Sequence, residues 1–173
     1  MKLDIENYKN IEFVSIKGGL TSTVFVDVDK KFFVKKPVYQ LDFDVLKREI
    51  HILTLLNKNK IDWCPKLLFS NDKLFITNYC GERVNEKNIP KDYKIQAEKI
   101  LSDLKKFNIK HNDIKKDEIL VKNNKIYLVD FGWASINDNF NCGINIDNRK
   151  KQYIIHDDKN LIKHLENIGI LKK

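Results

Sequence analysis

Between residues 11 and 79 the hydrophobic period changes twice, and this constrains the fold more than any other property of the chain. Residues 11–38 read as three strands. Ile11-Glu12-Phe13-Val14-Ser15-Ile16 partly alternates, and Thr23-Val24-Phe25-Val26-Asp27-Val28 follows Lys17-Gly18-Gly19-Leu20. Asp29-Lys30 then turns into Lys31-Phe32-Phe33-Val34-Lys35-Lys36, which Pro37 closes. Across 43–59 the spacing becomes helical: Leu46, Ile50, Leu53 and Leu56 form one stripe, Ile52 and Leu55 widen it, and Asp42 or Asp44 serves as N-cap. The period returns to that of strands in Lys66–Ser70 and Lys73–Tyr79, a hairpin around Asn71-Asp72. The order up to residue 80 is strand, strand, strand, helix, strand, strand.

After Gly81 the composition turns polar, and Pro90 breaks the run. Residues 92–107 predict a helix with Ile100, Leu101 and Leu104 on one stripe and Ile95 near it. A loop from Asn108 to Asp117 leads to two short strands, 119–122 and 125–129, around an Asn123-Asn124 turn. The Asn- and Asp-rich stretch 134–152 reads as loop. Asp157 or Asp158 then caps a last helix carrying Leu161, Ile162, Leu165 and Ile168. There is no internal repeat, and the Lys, Asn and Ile richness runs the full length as a compositional bias.

At 173 residues, 42% of them hydrophobic, the chain can bury a core, which excludes wholesale disorder and suits one domain or one domain with two small lobes. Cys64, Cys80 and Cys142 lie far apart; their odd number and the lack of a C-x-x-C pair argue for reduced thiols in a cytosol-like compartment. The N-terminus mixes charges and has no apolar signal core. No stretch approaches the roughly 18 apolar residues of a membrane span, so the expectation is a soluble, cytoplasmic protein without a membrane partner. The net charge of +8 fits either a lysine-rich solvated surface or a phosphate-bearing partner. No basic block with interleaved aromatics marks a nucleic-acid module. Trp63 and Trp133 read as core or interface packing.

Three features carry chemistry, and each has a purely local alternative. In Lys17-Gly18-Gly19-Leu20-Thr21-Ser22-Thr23 the glycines let backbone approach a ligand, and N–H groups with hydroxyls can hold phosphate oxygens; an ordinary hairpin turn would look the same. In His111-Asn112-Asp113-Ile114-Lys115 a loop carboxylate can accept a proton from a hydroxyl, and the lysine two positions on can steady a phosphoryl group; a capped turn with a packed histidine is the alternative. In Val129-Asp130-Phe131-Gly132 an aspartate at the end of an apolar strand can offer a hard oxygen to Mg²⁺, or simply start a turn. The His156-Asp157-Asp158 run is better read as a helix cap than as a metal site, because adjacent residues rarely converge on one ion.

Order and spacing join these features. Asp130 follows Asp113 by 17 residues with one hairpin between them. This resembles the catalytic core of the protein-kinase-like family, H-R-D-L/I-K-x-x-N, hairpin, D-F-G. Upstream, Phe33-Val34-Lys35 is similar to the end of the V-A-I-K strand. Arg48-Glu49-Ile50-His51-Ile52-Leu53 is similar to the helix of the N-lobe, and Phe75–Cys80 to its last strand entering the hinge. The resemblance covers about residues 11–133. It implies an α+β, bilobal protein-kinase-like fold, an N-lobe antiparallel sheet with one helix followed by a reduced, mainly helical C-lobe. The chain would form a single domain with its N-lobe at about 1–80, hinge at about 79–83 and C-lobe at about 84–173.

The resemblance also implies roles. Lys35, or Lys36 if the strand parity is reversed, would hold the ATP phosphates and pair with Glu49. Gly18, Gly19, Thr21 and Ser22 would cover the phosphates, and Tyr79 and Cys80 would line the nucleotide at the hinge. Asp113 would orient or deprotonate the acceptor hydroxyl, and Lys115 would neutralise the γ-phosphoryl. Asp130 would bind Mg²⁺ or Mn²⁺, and His111 would pack near Phe131. Two departures stand out. Glu118 replaces the family's second metal ligand, an Asn, and only 41 residues follow Gly132, with no A-P-E. The reading is an ATP-dependent phosphotransferase acting on a Ser/Thr hydroxyl of a protein. The alternatives are a small-molecule kinase, to which His-Asn-Asp and Gly-Gly-Leu-Thr-Ser are also similar in the choline and aminoglycoside kinase group, and a pseudokinase that binds without transfer.

Overall fold

The computed structural model describes residues 11–16, 21–39, 43–137 and 158–170. The chain divides into two compact units, residues 1–79 and 80–173.

The first unit is a five-stranded antiparallel sheet with one helix. Its strands are β1 (Phe13–Ile16), β2 (Ser22–Asp27), β3 (Phe32–Pro37), β4 (Leu67–Ser70) and β5 (Phe75–Asn78), in spatial order β1-β2-β3-β5-β4. Helix α1 (Phe43–Lys58) connects β3 to β4. Of the predicted stripe Leu46, Leu53 and Leu56 are buried, with Ile52 beside them, whereas Ile50 and Leu55 are half-buried; the helix packs on β3 and β4. Asp44 lies within its first turn, while Asp42 falls outside the described residues. The two sides of β3 differ, as the pleat requires. Val34 joins a core cluster with Leu74 and Ile76, fringed by Phe13, Phe25, Phe32 and Phe69. Lys35, on the opposite side, is also buried. The β4–β5 turn is built by Asn71, whose side-chain oxygen accepts the N–H groups of Lys73 and Leu74 at 2.8 and 3.0 Å.

In the second unit, α2 (Tyr93–Lys106) buries Ala97, Ile100 and Leu104, and α3 (Asn160–Ile170) buries Leu161, Leu165 and Ile168. Ile95, expected near the buried stripe, is exposed. The hairpin of β8 (Ile119–Lys122) and β9 (Lys125–Leu128) turns through Asn123 and Asn124, both at positive φ, as a two-residue hairpin requires. Gln96 of α2 clips this hairpin, accepting the Ile126 N–H at 2.8 Å and donating to the Asn124 carbonyl at 3.0 Å.

Three two-residue strands lie where no strand period is visible in the sequence. β6 (Glu82–Arg83) pairs with β8, and β7 (Ile109–Lys110) pairs with β10 (Ser135–Ile136). These correct the reading of 108–117 and 134–152 as loop at 109–110 and 135–136; a strand of two residues is too short to show a period. Gly81, at φ +103°, has no room for a side chain: a Cβ there would sit 2.1 Å from the Val121 carbonyl oxygen. Cys64 and Cys80 are buried and form no disulfide, and Cys142 lies outside the described residues. Among the described residues, no helix is long and apolar enough to cross a membrane.

Candidate active site

In the first unit the Lys35 ammonium lies 2.6 Å from a Glu49 carboxylate oxygen, with both side chains almost inaccessible at 6% and 4%. β3 supplies the lysine and α1 the glutamate, so the contact ties the helix to the sheet. Taking both charges out of water costs several kcal/mol each, which the ion pair only partly offsets. Lys36 is exposed and rests its ammonium 5.2 Å from the Phe25 ring centre, so the alternation of β3 gives the buried position to Lys35. Ser22 is buried at the start of β2, and Thr21, just before it, accepts the Val38 N–H at its carbonyl. Tyr79 donates its backbone N–H to the Lys31 carbonyl at 2.8 Å. Gly18 and Gly19 lie outside the described residues.

In the second unit Cys80 is buried at its start, and the remaining predicted residues gather on two neighbouring segments. Asp113 follows β7 on a loop whose backbone turns at Asn112, with φ +67°. The Asp113 side chain is buried, and its Oδ1 lies 2.7 Å from the Lys115 ammonium. That contact is an ion pair without hydrogen-bond geometry, so this oxygen accepts no hydrogen bond. Glu118 closes a single 3₁₀ turn, Lys116–Glu118, before β8. Its Oε2 is likewise buried without a partner. Burial, with the nearby charges of Asp130 and Asp113, raises the Glu118 carboxyl to about 7. Asp130 follows β9 in the left-handed conformation, at φ 65°.

His111 connects the two segments. Its Nε2 lies 2.9 Å from the Val129 carbonyl, and its ring centre lies 4.8 Å from that of Phe131. A carbonyl only accepts, so Nε2 carries the proton and the buried, unpartnered Nδ1 is bare. Burial holds this imidazole below its ordinary range, against the opposing pull of the Val129 carbonyl and the carboxylates of Asp158, Asp130 and Asp113. The expected packing of His111 on Phe131 is therefore present.

Among the described residues no three His, Cys, Asp or Glu side chains stand ready to enclose a metal ion. The donor set nevertheless fits a divalent cation that keeps much of its own water and oxygen from substrate. Glu118 holds a buried oxygen without a partner and feels the repulsion of Asp130 and Asp113, which a cation would relieve.

No protein-family model and no curated protein matches the chain. Solved structures do. The streptomycin–ATP–APH(2″)-IIa ternary complex aligns with a TM-score of 0.54 at 17% identity, over 82% of this chain and 74% of that one. Aminoglycoside phosphotransferase APH(2″)-Ib in its ADP-bound form gives 0.53 at 17% identity, over 81% and 74%. The gentamicin–APH(2″)-IIa complex gives 0.55 at 15% identity, over 99% and 85%. The fold is that of the aminoglycoside phosphotransferases. These belong to the protein-kinase-like superfamily, so the resemblance read from the motifs holds at the level of the fold. It carries no support for a Ser/Thr protein kinase in particular.

Within this kinase-like fold, two residues near Asp113 escaped the sequence reading. Asn112 is buried and donates its amide to the carbonyls of Lys110 and Trp133 and to the Ser135 hydroxyl at 3.2, 3.0 and 3.0 Å, tying the loop to β10. Asp157 or Asp158 was read as the cap of the last helix; Asp157 lies outside the described residues, and the Asp158 carboxylate accepts backbone N–H groups of the Asp113 loop. The positive φ at Asn112, a conformation that asparagine tolerates, was the only local signal for the first. Nothing local marks the second.

Proposed function

We propose that this chain is an ATP-dependent phosphotransferase that moves the γ-phosphoryl group of ATP to a hydroxyl of a small molecule. One observation carries the reading: Asp113 is a buried carboxylate with an oxygen that accepts no hydrogen bond, next to the Lys115 ammonium. That oxygen has an ion pair but no hydrogen bond, and a substrate hydroxyl can donate one. The fold supports the reaction class. The similar structures are complexes with ATP, ADP and aminoglycosides, which favours the small-molecule acceptor over a protein Ser/Thr hydroxyl.

Each residue then has a task. Glu49 holds Lys35 extended so that its ammonium can bind the α- and β-phosphates. Gly18, Gly19, Thr21 and Ser22 cover the phosphates with N–H groups and hydroxyls, and Tyr79 and Cys80 meet the base. A bound Mg²⁺ or Mn²⁺ would supply charge neutralisation at the phosphates, with Asp130 and Glu118 as its protein ligands. Asp113 accepts the proton of the acceptor hydroxyl as the oxygen forms its bond to the γ-phosphorus. The bond from that phosphorus to the bridging oxygen breaks, and ADP leaves with the electron pair. Lys115 offsets charge on the transferring group.

The test uses γ-labelled ATP with Mg²⁺ or Mn²⁺, offered an aminoglycoside, choline and a generic protein, for the native chain and Asp113→Ala. Label should reach a small molecule, and the variant should lose about 10²–10⁴-fold in rate. Equal labelling by both proteins, or label found only on protein, overturns the reading. Thermal stabilisation by ATP with no transfer to any acceptor would make the chain a nucleotide-binding module instead.

A further inference from the structure

We propose that Glu118 lets the second unit hold a divalent cation by itself, before any nucleotide brings its phosphates. The inference rests on the reading of Glu118 and Asp130 as protein ligands of the cation, and adds what a carboxylate at position 118 does to its capture.

The β8–β9 hairpin brings the two residues together. Ile119 pairs with Leu128, and the ladder runs one residue further, where the Val129 N–H donates to the Glu118 carbonyl at 3.0 Å. Glu118 therefore lies across from Val129, and Asp130 is the next residue along that strand's path. Both backbones are held in place. Ile119, Ile126 and Leu128 are inaccessible, and the Glu118 N–H closes the 3₁₀ turn on the Lys115 carbonyl at 3.2 Å. Carboxylates placed in advance by packing lose little freedom when an ion binds, which is how preorganised sites reach their affinity.

Nothing in the second unit explains Glu118 as a structural residue. Its Oε2 is buried without a hydrogen-bond partner, and the charges of Asp130 and Asp113 both act against its own. Keeping an ionised carboxylate oxygen from water with no donor is costly. Lys115 gives some relief, but its ammonium lies against Asp113 at 2.7 Å. A divalent cation bound by Glu118 and Asp130 offsets both of their charges. In the motif H-R-D-L-x-x-x-N this position is an Asn, a neutral oxygen donor. Hard cations in such sites commonly take one or two carboxylates and complete their shell with water and substrate phosphates. A neutral amide leaves most of the charge to the phosphates. Glu118 adds a full negative charge of the protein's own, so capture of the ion no longer waits on the nucleotide. Asp117, in the same turn, serves as the comparison: its carboxylate is exposed and meets Arg83 at 3.4 Å.

The experiment titrates the native chain, Glu118→Gln and Asp117→Asn with Mn²⁺ alone at pH 8, following the electron paramagnetic resonance signal of free Mn²⁺, and melts each protein with and without the ion. The native chain should bind Mn²⁺ at one site without nucleotide. Glu118→Gln should bind it about 10- to 100-fold more weakly, the loss expected when a metal site is stripped of a supporting group. Asp117→Asn should match the native chain within about 2-fold, as an exposed charge does. At about ten times the native dissociation constant, Mn²⁺ should raise the native melting temperature by about 3–6 °C and that of Glu118→Gln by about 1 °C. A native chain that takes up no Mn²⁺ without nucleotide, equal binding by Glu118→Gln, or equal weakening in Asp117→Asn, the mark of a diffuse acidic surface, overturns the proposal. Its failure and that of the transfer reaction are told apart by the labelled-ATP assay. A native chain that transfers phosphoryl but takes up Mn²⁺ only with ATP overturns this proposal alone. One that binds Mn²⁺ through Glu118 yet transfers nothing supports it and overturns the reaction.

Discussion

Removing Lys35 tests the fold and the site together. In Lys35→Met the volume stays, but Glu49 keeps its charge in a position only 4% exposed. Breaking a buried pair from one side typically costs about 3–5 kcal/mol, because the remaining ion has lost its compensation. At about 2–4 °C per kcal/mol for a chain of this size, the melting temperature should fall by on the order of 10 °C. Replacing both partners, as Lys35→Met with Glu49→Leu, removes the stranded charge and should restore most of the loss, since apolar substitutes for buried pairs are often neutral. Lys36→Met, on the exposed side of β3, should stay within about 0.5 kcal/mol of the native chain. Thermal and urea melts of the four proteins decide the matter, and adding ATP extends the test. The native chain should be stabilised by the nucleotide, whereas the double variant, although folded, should not. A single variant within about 1 kcal/mol of native, or a double variant no more stable than the single one, would refute the reasoning.

Further outcomes follow from other positions. Gly81→Ala should destabilise by about 1–3 kcal/mol or more, read as a lowered melting temperature, because its φ of +103° and the Val121 carbonyl 2.1 Å from a new Cβ both oppose a side chain. Asn124→Gly should be neutral or stabilising by a few tenths of a kcal/mol in the same assay, since Asn-Gly suits a turn with both φ values positive and the bond from Gln96 reaches only the backbone of residue 124. Glu118, raised to about 7 by burial first and the Asp130 and Asp113 charges next, favours the folded state in its protonated form, so its contribution is present at low pH and lost as pH rises from about 4.5 to 7. In metal-free buffer Glu118→Gln should therefore melt higher than native at pH 8.5, by about 1–2 kcal/mol once partial exposure is discounted, and equally at pH 4; the same gain at both would refute the cause. His111 works in the opposite sense: its pKa is lowered by burial, so stability is present above about 6.5 and lost as pH falls, and His111→Gln should weaken the acid loss seen in Glu118→Gln.

What could be read from the sequence follows from how far each signal travels. The five strands of the N-terminal unit, α1, α2 and the β8–β9 hairpin all repeat a period over several residues, and the turns at Asn71 and at Asn123-Asn124 carry their own chemistry in one or two side chains. The choice between Lys35 and Lys36 could not be read because β3 is covered on both sides, so that Val34 and Lys35 are adjacent and both buried. β6, β7 and β10 have two residues each and owe their pairing to partners distant in the chain. For the candidate site, local runs of sequence pointed to Asp113, Lys115, Glu118 and Asp130. They could not carry Asp158, whose carboxylate was read as a cap because a cap is the local use for an aspartate before a helix. Its actual partners are set by the seating of α3, which is a tertiary event.

Four carboxylates among the described residues, Asp27, Asp158, Asp113 and Glu118, separate into two kinds by what their oxygens accept. Asp27 is buried and accepts the N–H groups of Lys31 and Phe32 with one oxygen, closing the β2–β3 turn. Asp158 uses both oxygens on the amides of His111 and Asn112. Both sit where backbone donors would otherwise lack an acceptor, and each is explained by the structure it supports. Asp113 and Glu118 are of the other kind: the buried Oδ1 of Asp113 is ion-paired with Lys115 but accepts no hydrogen bond, and the buried Oε2 of Glu118 has no hydrogen-bond partner. A scaffold would gain by replacing them with amides or apolar groups. Glu118 closes the 3₁₀ turn before β8, within reach of the field of Asp130, and Asp113 lies three residues before that turn. Acceptors with bonding capacity to spare on neighbouring segments of the second unit are what the proposed binding of a hydroxyl and a cation would draw on.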